Sequence, residues 1–334
     1  MGASEGRVTL HDAELLESAP PLLSFDAGGP VVGVGIHAKG RRLIVCTHLG
    51  LKLFTLGYSP SAAGNAPGPD DMGLLNMTLI KAVVFEQGAS VVAFTSSNDA
   101  AAVALVLASK PTQRTMLCYK ATRHELTPVA SKSTALQIGA LALPEEGECL
   151  FVGSNAKDGG ANMHFMKDFA QKSATKLSKA ASGLKARVTT ATWLPNQRHI
   201  VSGHANGALV LADTHQIEKA GVLTKDTDAA ISSLYCGDNH HLLAGTEEGD
   251  VLIYQLHEKN TGLHLVRKLS VASKGAASPI LSMALYLRDV VFAACSSKDS
   301  ERPISIMSPF SSADVQVRRS GTLSFNRRRL LQRS

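Results

Sequence analysis

The sequence predicts an all-β β-propeller, most simply seven blades of four short antiparallel strands with the last blade composite or incomplete. Three observations predict it. First, the stretch Val188 to His215, VTTATWLPNQRHIVSGHANGALVLADTH, returns about forty residues later as ISSLYCGDNHHLLAGTEEGDVLIYQLH. Gly203 then matches Gly245, Gly207 matches Gly249 and Trp193 matches Tyr235, and a period near forty with several short strands per unit is the signature of a propeller. Second, the strand runs are apolar on both faces. Strands sandwiched between neighbouring sheets read that way, whereas a sheet with one wet face alternates with polar residues. Third, turn chemistry punctuates the runs: Pro195-Asn196-Gln197 stops one strand and Asn206-Gly207 reads as a hairpin turn.

The chain then follows in order. Residues 7–12 (RVTLHD) and 22–26 (LLSFD) read as two strands ahead of the first full repeat. That repeat is VVGVGIHA, LIVCTH and LKLFTL; Tyr58 to Leu74, rich in Pro, Gly, Ala and Asp, is a surface loop read as lying between strands or blades. The second repeat is read as IKAVVFE, SVVAFTSS and AAVALVLAS, with TMLCYKA as its outer strand, and the third as LQIGALALP, ECLFVGSN and NMHFM. Lys167 to Arg187 breaks the rhythm. Phe169, Ser173, Leu177 and Leu184 have roughly helical spacing, but Ser and Gly dilute that signal, so a solvated outer strand and loop is preferred. The sixth repeat is ILSMALYL, VVFAACSS, PISIMS and DVQVRR. The full repeats thus lie near residues 31–57, 79–121, 136–166, 188–223, 231–269 and 280–319; residues 7–26 complete the ring, and 320–334 form a basic tail.

Composition bounds the rest. Apolar residues make up 44% of the 334, enough for a substantial core, while 5% aromatics and a single Trp leave small residues to do much of the packing. Met1 to Gly6 lacks an apolar stretch, so no secretory leader is expected, and no apolar run approaches the ~18 residues of a membrane span. Met1-Gly2 opens like a myristoylation motif, but Gly6 stands where Ser or Thr is required. The net charge of +6 equals the six arginines that follow Asp314, with no acid among them, so the chain before them is balanced. The basic character belongs to a tail and not to a groove.

IVSGHANGALVLAD and LLAGTEEGDVLIYQL resemble the strand–turn–strand core of the WD-repeat family, and RVTLHDAE resembles the end of such a repeat. The sequence departs from that family in places. Ala212-Asp213 and Gln255-Leu256 stand in place of the Trp-Asp dipeptide, Asn206 or Glu248 in place of the turn aspartate, and no Gly-His pair lies upstream at the family's distance. The resemblance implies a toroid that binds other proteins on its rim and faces, acting as a non-catalytic scaffold within a multiprotein complex in the cytoplasm or nucleus. A second resemblance is narrower. GLKLFTL is similar to an early blade of the autophagy-related propellers that bind phosphoinositides at membranes, and FNRRR (Phe325 to Arg329) is similar to their Phe-Arg-Arg-Gly signature. It implies a lipid-binding alternative.

No chemistry is written into the chain. Walker and H-E-x-x-H motifs are absent. His240 and His241 adjoin a strand, where neighbours point to opposite faces and cannot share a metal. Asp70-Asp71, Glu145-Glu146 and Glu247-Glu248 read as solvated loop and turn carboxylates. Catalytic and cofactor residues are therefore expected to be absent, and specific nucleic-acid binding is not expected. The candidate partner-binding residues are Arg318, Arg319, Thr322, Phe325, Arg327, Arg328 and Arg329. Their guanidinium groups suit an anionic surface of protein, phospholipid or RNA. The last blade reads as one strand short, because Arg327 to Arg329 would put charge on buried faces. A partner strand beside Thr322 to Phe325 would complete it; the alternative is a closed monomer whose tail pairs loosely.

The five cysteines, Cys46, Cys118, Cys149, Cys236 and Cys295, are scattered and odd in number, which points to free thiols in a reducing compartment. Elemental analysis and thiol titration of the purified chain are expected to find no stoichiometric zinc and no disulfide.

Overall fold

Every regular element is a strand in the computed structural model, which describes residues 6–10, 22–37, 41–58, 75–97, 100–110, 112–145, 147–156, 160–165, 175–176, 186–214, 216, 221–236, 241–257, 262–270, 278–286, 290–295 and 304–307. Among these the strands form seven antiparallel sheets. The first holds β1 (Arg7–Leu10) and β2 (Leu23–Asp26). Four-stranded sheets follow: β3 (Val31–His37), β4 (Arg42–Thr47), β5 (Gly50–Tyr58) and β6 (Leu75–Val84); then β7 (Ser90–Ser96), β8 (Ala102–Lys110), β9 (Gln113–Ala121) and β10 (Leu126–Thr134). Next come β11 (Ile138–Ala142), β12 (Cys149–Ser154), β13 (Ala161–Phe165) and β14 (Thr175–Lys176), and then β15 (Val188–Trp193), β16 (His199–His204), β17 (Leu209–Asp213) and β18 (Gly221–Thr224). The sixth sheet is β19 (Ile231–Tyr235), β20 (His241–Thr246), β21 (Asp250–Leu256) and β22 (Leu263–Ser270); the seventh is β23 (Ile280–Tyr286), β24 (Val290–Cys295) and β25 (Ile304–Met307). The first strands β3, β7, β11, β15, β19 and β23 pack side by side in chain order, so they line the inside of the ring and the last strands lie outside.

The second repeat is framed differently from the sequence reading. Ile80 to Val84 does not open the second sheet. It ends β6, which pairs along its length with β5, from Gly50↔Val84 to Tyr58↔Leu75. The Pro- and Gly-rich loop thus joins the third and outer strands of one sheet and does not separate two sheets. The second sheet starts at β7, runs through TMLCYKA as its third strand, and gains Leu126–Thr134 as its outer strand. Apolar alternation marks a strand but does not say which neighbour it bonds. Within 167–187, Thr175–Lys176 pairs with β13 as an outer strand, and the positions with helical spacing, Phe169, Ser173, Leu177 and Leu184, lie outside the described residues. DVQVRR lies outside the described residues, as does the tail.

Among the described residues the core forms six separate junctions between consecutive sheets. Leu43 and Val45 of β4 face Val8, Ala27 and the two-stranded sheet, while their neighbours Ile44 and Cys46 face Val91, Val103 and Leu105 of the next. Ala104, Val106 and Cys118 meet Ile138, Leu150 and Val152; Cys149, Phe151 and Met163 meet Val188, Trp193 and Ile200. Val201 and Leu209 meet Ile231 and Leu242, and Leu243, Val251 and Ile253 meet Ile280 and Met283. Both faces of the second and third strands are thus used, which is why polar alternation is missing there, whereas the outer strands β10 and β22 alternate between half-buried and exposed positions. At roughly 25 cal/mol per Å² of apolar area buried, these stacked interfaces are the main source of stability.

One device recurs at the junctions. The first strand of each of the six later sheets shifts register near its start: after Val31, Val91, Ile138, Val188, Ile231 and Ile280. A single residue is bulged out each time. Just ahead of the bulge, Val188, Ile231 and Ile280 are fully buried against Gly153, Gly203 and Gly245 of the preceding sheet. A Cβ on those glycines would lie 2.5 Å from Val188 Cγ1, 2.6 Å from Ile231 Cγ2 and 2.6 Å from Ile280 Cβ. The bulged residue then reaches forward to the next sheet. The Thr189 hydroxyl donates to the Ile231 carbonyl and the Ser232 hydroxyl to the Ile280 carbonyl at 2.7 Å. At Gly139 the Val188 carbonyl closes onto the backbone itself, in space a Cβ would fill.

Turns between second and third strands are closed by side chains. Thr47 Oγ1 accepts from the Leu49 and Gly50 amides, and Thr246 Oγ1 accepts from Asp250 N. Gly207 and Gly249 follow with φ of 82° and 89°, in the region that favours glycine. Gly6 has φ 83° and sits just ahead of β1, as Gly249 does ahead of β21. This supports reading β1 as a third strand. At the end of β16 a different closure occurs: buried His204 sits 3.2 Å from Ser202 Oγ and, through Nδ1, 3.2 Å from the Ala186 carbonyl.

Because the glycine gaps are already filled, Gly203→Ala and Gly245→Ala are each expected to lower stability by about 1–3 kcal/mol, the range for overpacked sites. Gly221→Ala, where a Cβ meets nothing within 4 Å, is the neutral control, and urea denaturation midpoints make the comparison. Acid tests the buried histidines. Burial, with Lys132 adding to it, holds His164 down to about 4, and burial lowers His204 too, partly opposed by its bond to Ala186. Well above pH 6.5 neither group contributes a slope, because both are then neutral folded and unfolded. Below 6.5 the unfolded chain takes up protons that the folded chain refuses, so stability falls as pH drops toward about 4. His164 alone is expected to cost about 2 kcal/mol at pH 5 relative to pH 7.5, read as a lower urea midpoint. His164→Leu should flatten the pH dependence.

Candidate interaction surface

The residues singled out for partner binding, Arg318, Arg319, Thr322, Phe325, Arg327, Arg328 and Arg329, lie outside the described residues, as does the FNRRR segment. The two ends of the ring are described. Because adjacent strands run antiparallel, the starts of first strands, the turns between second and third strands, and the ends of outer strands all lie at one end. That end carries five exposed aliphatic side chains. Leu49 in the β4–β5 turn is 62% exposed, Val84 at the end of β6 is 82% exposed, and Leu281 at the β23 bulge is 62% exposed. Val92, at the β7 bulge, and Leu136, ahead of β11, are exposed there too. Leu49 and Val84 are neighbours, since the Phe85 amide donates to the Leu49 carbonyl at 3.0 Å.

At the opposite end the first strands terminate. Here a cavity of about 60 Å³ is lined by Thr95, Ser96, Leu143, Glu145, Thr192, Trp193 and Gln197, among others. Gln197 crosses the junction to accept the Glu145 amide at 2.8 Å through Oε1. The same end carries the fork of Arg198 on Asp213, with bonds of 3.0, 3.1 and 2.6 Å. Next to it, Asn196 Oδ1 accepts from the Arg198 and His199 amides and so shapes the turn.

The remaining chemistry-bearing groups are quiet. Cys46, Cys118, Cys149 and Cys236 are free and buried. Burial pushes the thiols of Cys46, Cys118 and Cys149 up to about 12, with Glu148 adding to the effect at Cys149. Such thiols are not nucleophiles at neutral pH. Among the described residues no group of three His, Cys, Asp or Glu side chains is placed to hold a metal. No helix among the described residues is long and apolar enough to cross a membrane. Glu145, Glu247 and Glu248 are exposed turn carboxylates, as the turn reading expects.

Sequence reasoning missed both the aliphatic end and the cavity. Leu49 was legible, standing between His48 and Gly50 where a turn favours polar residues. Val84 and Val92 were not, because they belong to apolar runs that look like core. The cavity's signal is the single Trp of the chain, placed where a strand runs into a Pro-led turn.

No family model matches the chain, and no curated protein does. Solved structures do. U3-55K superposes with a TM-score of 0.64 at 12% identity, covering 92% of this chain and 90% of that one. The β-propeller domain of Cps50 (Swd1) from Myceliophteria thermophila gives 0.60 at 11% identity, covering 84% and 83%. Sqt1 from Chaetomium thermophilum, solved with the N-terminus of the ribosomal protein L10, gives 0.58 at 14% identity, covering 84% and 73%. At such identities the likeness speaks for the fold alone. With its stacked four-stranded sheets, its period near forty residues and these neighbours, the chain has the β-propeller fold of the WD-repeat proteins.

Proposed function

We propose that this propeller is a non-catalytic interaction scaffold, a subunit of a multiprotein assembly, which docks a protein partner on the end that carries Leu49, Val84, Val92, Leu136 and Leu281. The observation that carries the reading is the gathering at that end of five of the ten large aliphatics exposed among the described residues, including the three most exposed, Val84 at 82%, Leu49 at 62% and Leu281 at 62%. Apolar side chains gathered on one face of a soluble toroid are what a partner covers. Sqt1, a propeller of similar fold, is solved with a peptide segment of another protein, which supports peptide or protein recognition as a use of this architecture. The quiet thiols and the solvated carboxylates favour a scaffold over an enzyme, and the free cysteines favour a reducing compartment, cytoplasm or nucleus. The basic tail, with its arginines, supplies a second contact to an anionic surface in this reading.

The test is a pair of variants recovered from the native cell. Leu49→Asp with Val84→Asp is expected to reduce the stoichiometric partner retained by the wild-type protein roughly tenfold, since each lost anchor is worth about 1 kcal/mol or more. Arg123→Ala, at the other end, is expected to retain it. Equal retention by both variants would overturn the assignment of this end.

A further inference from the structure

We propose that the outer edge of the first four-stranded sheet, β6, takes up an extended segment of a partner protein as an added strand, and that this segment carries a carboxylate opposite Lys81. The inference deepens the scaffold reading and rests on it for the existence of a protein partner. Val84 belongs to both surfaces.

β6 has ten residues and is the longest strand described. Among the described residues it pairs with β5 alone, so its other edge keeps a row of backbone donors and acceptors. The phase of that row follows from one bond. The Phe85 amide donates to the Leu49 carbonyl at 3.0 Å, one step beyond the Gly50↔Val84 pair. Bonded and unbonded pairs alternate along an antiparallel ladder. Val83 and Lys81 therefore turn their backbone groups toward β5, and Ala82 and Val84 turn theirs outward. The bulge of this strand lies lower, at Ile80, and the register from Lys81 to Val84 is regular.

The final strands of the other sheets are guarded. β2 and β18 have four residues and β14 has two. β10 carries Lys132, and Pro128 beside a bulge. β22 carries His264, Arg267 and Lys268. Short length, proline and cations are the devices that keep sheet edges from pairing with other chains. β6, LNMTLIKAVV, has no proline and a single charge, Lys81. From Asn76 to Val84 its side chains are exposed except Met77, Ile80 and Val83, which are half-buried. Leu79 is 52% exposed and Val84 82%.

The chemistry of the occupant follows from this edge. Outward N–H and C=O groups at every second residue are matched by an extended backbone. The exposed aliphatics favour β-branched side chains on the added strand, since cross-strand pairs of that kind stabilise a sheet. Lys81 favours a carboxylate beside it and disfavours a cation. A second copy of β6 brings no acid, so the occupant is a strand of another protein. Its path is continuous with the docking end, because Val84 closes β6 next to Leu49.

The probe is a capped, fluorescein-labelled nonapeptide of sequence Thr-Val-Thr-Val-Glu-Val-Thr-Val-Thr. It reads the same in both directions, so neither strand orientation is presumed. Its counterparts carry Lys at the centre, or Pro at the third and seventh positions. Each is titrated against the full chain by fluorescence anisotropy, and amide exchange of the chain is followed by NMR. Saturable binding of the Glu peptide is expected, with the amides of Ala82 and Val84 slowed. The Lys peptide is expected to bind roughly threefold to tenfold more weakly and the Pro peptide at least roughly tenfold more weakly. Ala82→Pro removes an outward N–H at an edge, where proline is tolerated. It is expected to weaken the Glu peptide at least roughly tenfold with far-ultraviolet circular dichroism unchanged, while Ala82→Val retains binding. Lys81→Glu carries the test on its own, since it is expected to invert the preference between the Glu and Lys peptides. No saturable binding, indifference to Ala82→Pro, protection away from Ala82 and Val84, or no inversion in Lys81→Glu would overturn the proposal. So would a wild-type dimer that Ala82→Pro dissolves, which assigns the edge to a second copy. Peptide binding by the purified chain reads the edge alone, whereas retention of the native partner by Leu49→Asp with Val84→Asp reads the docking end, so the two readings fail separately.

Discussion

The close approach of each first strand to the sheet before it is the constraint on which the ring depends. Val188, Ile231 and Ile280 press a β-branched side chain into space that Gly153, Gly203 and Gly245 leave empty. β-branched residues are stiff about χ1, so each knob enters its gap in one orientation. The bulge that follows turns the next residue toward the neighbouring carbonyl, where Thr189 and Ser232 bond across the junction. Packing and polar closure are thus set by two adjacent residues, and the angle between consecutive sheets follows from them. The device is not uniform. Cys46 and Val106 stand where the next three sheets have glycine, opposite Gly33 and Ala93, so there the small residue has moved to the first strand. In the second junction Gly33 opens the space that the Phe94 ring enters.

This arrangement also explains how the fold dispenses with the Trp-Asp dipeptide and its side-chain network. Turn closure falls to single residues at the end of the second strand: Thr47, Thr246 and His204 each satisfy backbone or side-chain groups locally. Strand pairing is anchored at the rim by ion pairs such as Arg198–Asp213 at 2.6 Å and Lys268–Asp250 at 2.7 Å. Half-exposed pairs of this kind add little energy and serve mainly to fix register. Stability is left to the apolar junctions. A polar group inside them, such as His204, holds only in its neutral form.

The fold was legible because a repeat displays the same physics several times over. Gly203 with Gly245 and Asn206-Gly207 with Glu248-Gly249 mark two hairpins of one kind, and the two-sided apolar runs mark their burial. The framing of the second repeat was not legible. Ile80 to Val84 suits a first or an outer strand equally, and only the pairing with β5 across a long loop decides between them. Charge drew the functional reading to the arginine-rich end of the chain. The aliphatic end escaped it because Val84, Val92 and Leu281 are indistinguishable in sequence from the buried valines and leucines beside them. Their exposure comes from position along the strand: they stand at strand ends or bulges, past the reach of the next sheet.

The four cysteines whose side chains are described are spread evenly through the core. Cys46, Cys118, Cys149 and Cys236 fall in four successive junctions, one apiece. Each thiol is covered only while its own pair of sheets stays closed. The chain therefore carries an internal set of gauges for local opening, one for each of four neighbouring seams. Alkylation rates measured cysteine by cysteine under native conditions convert directly into a map of where the ring breathes first, and whether its seams open singly or all together.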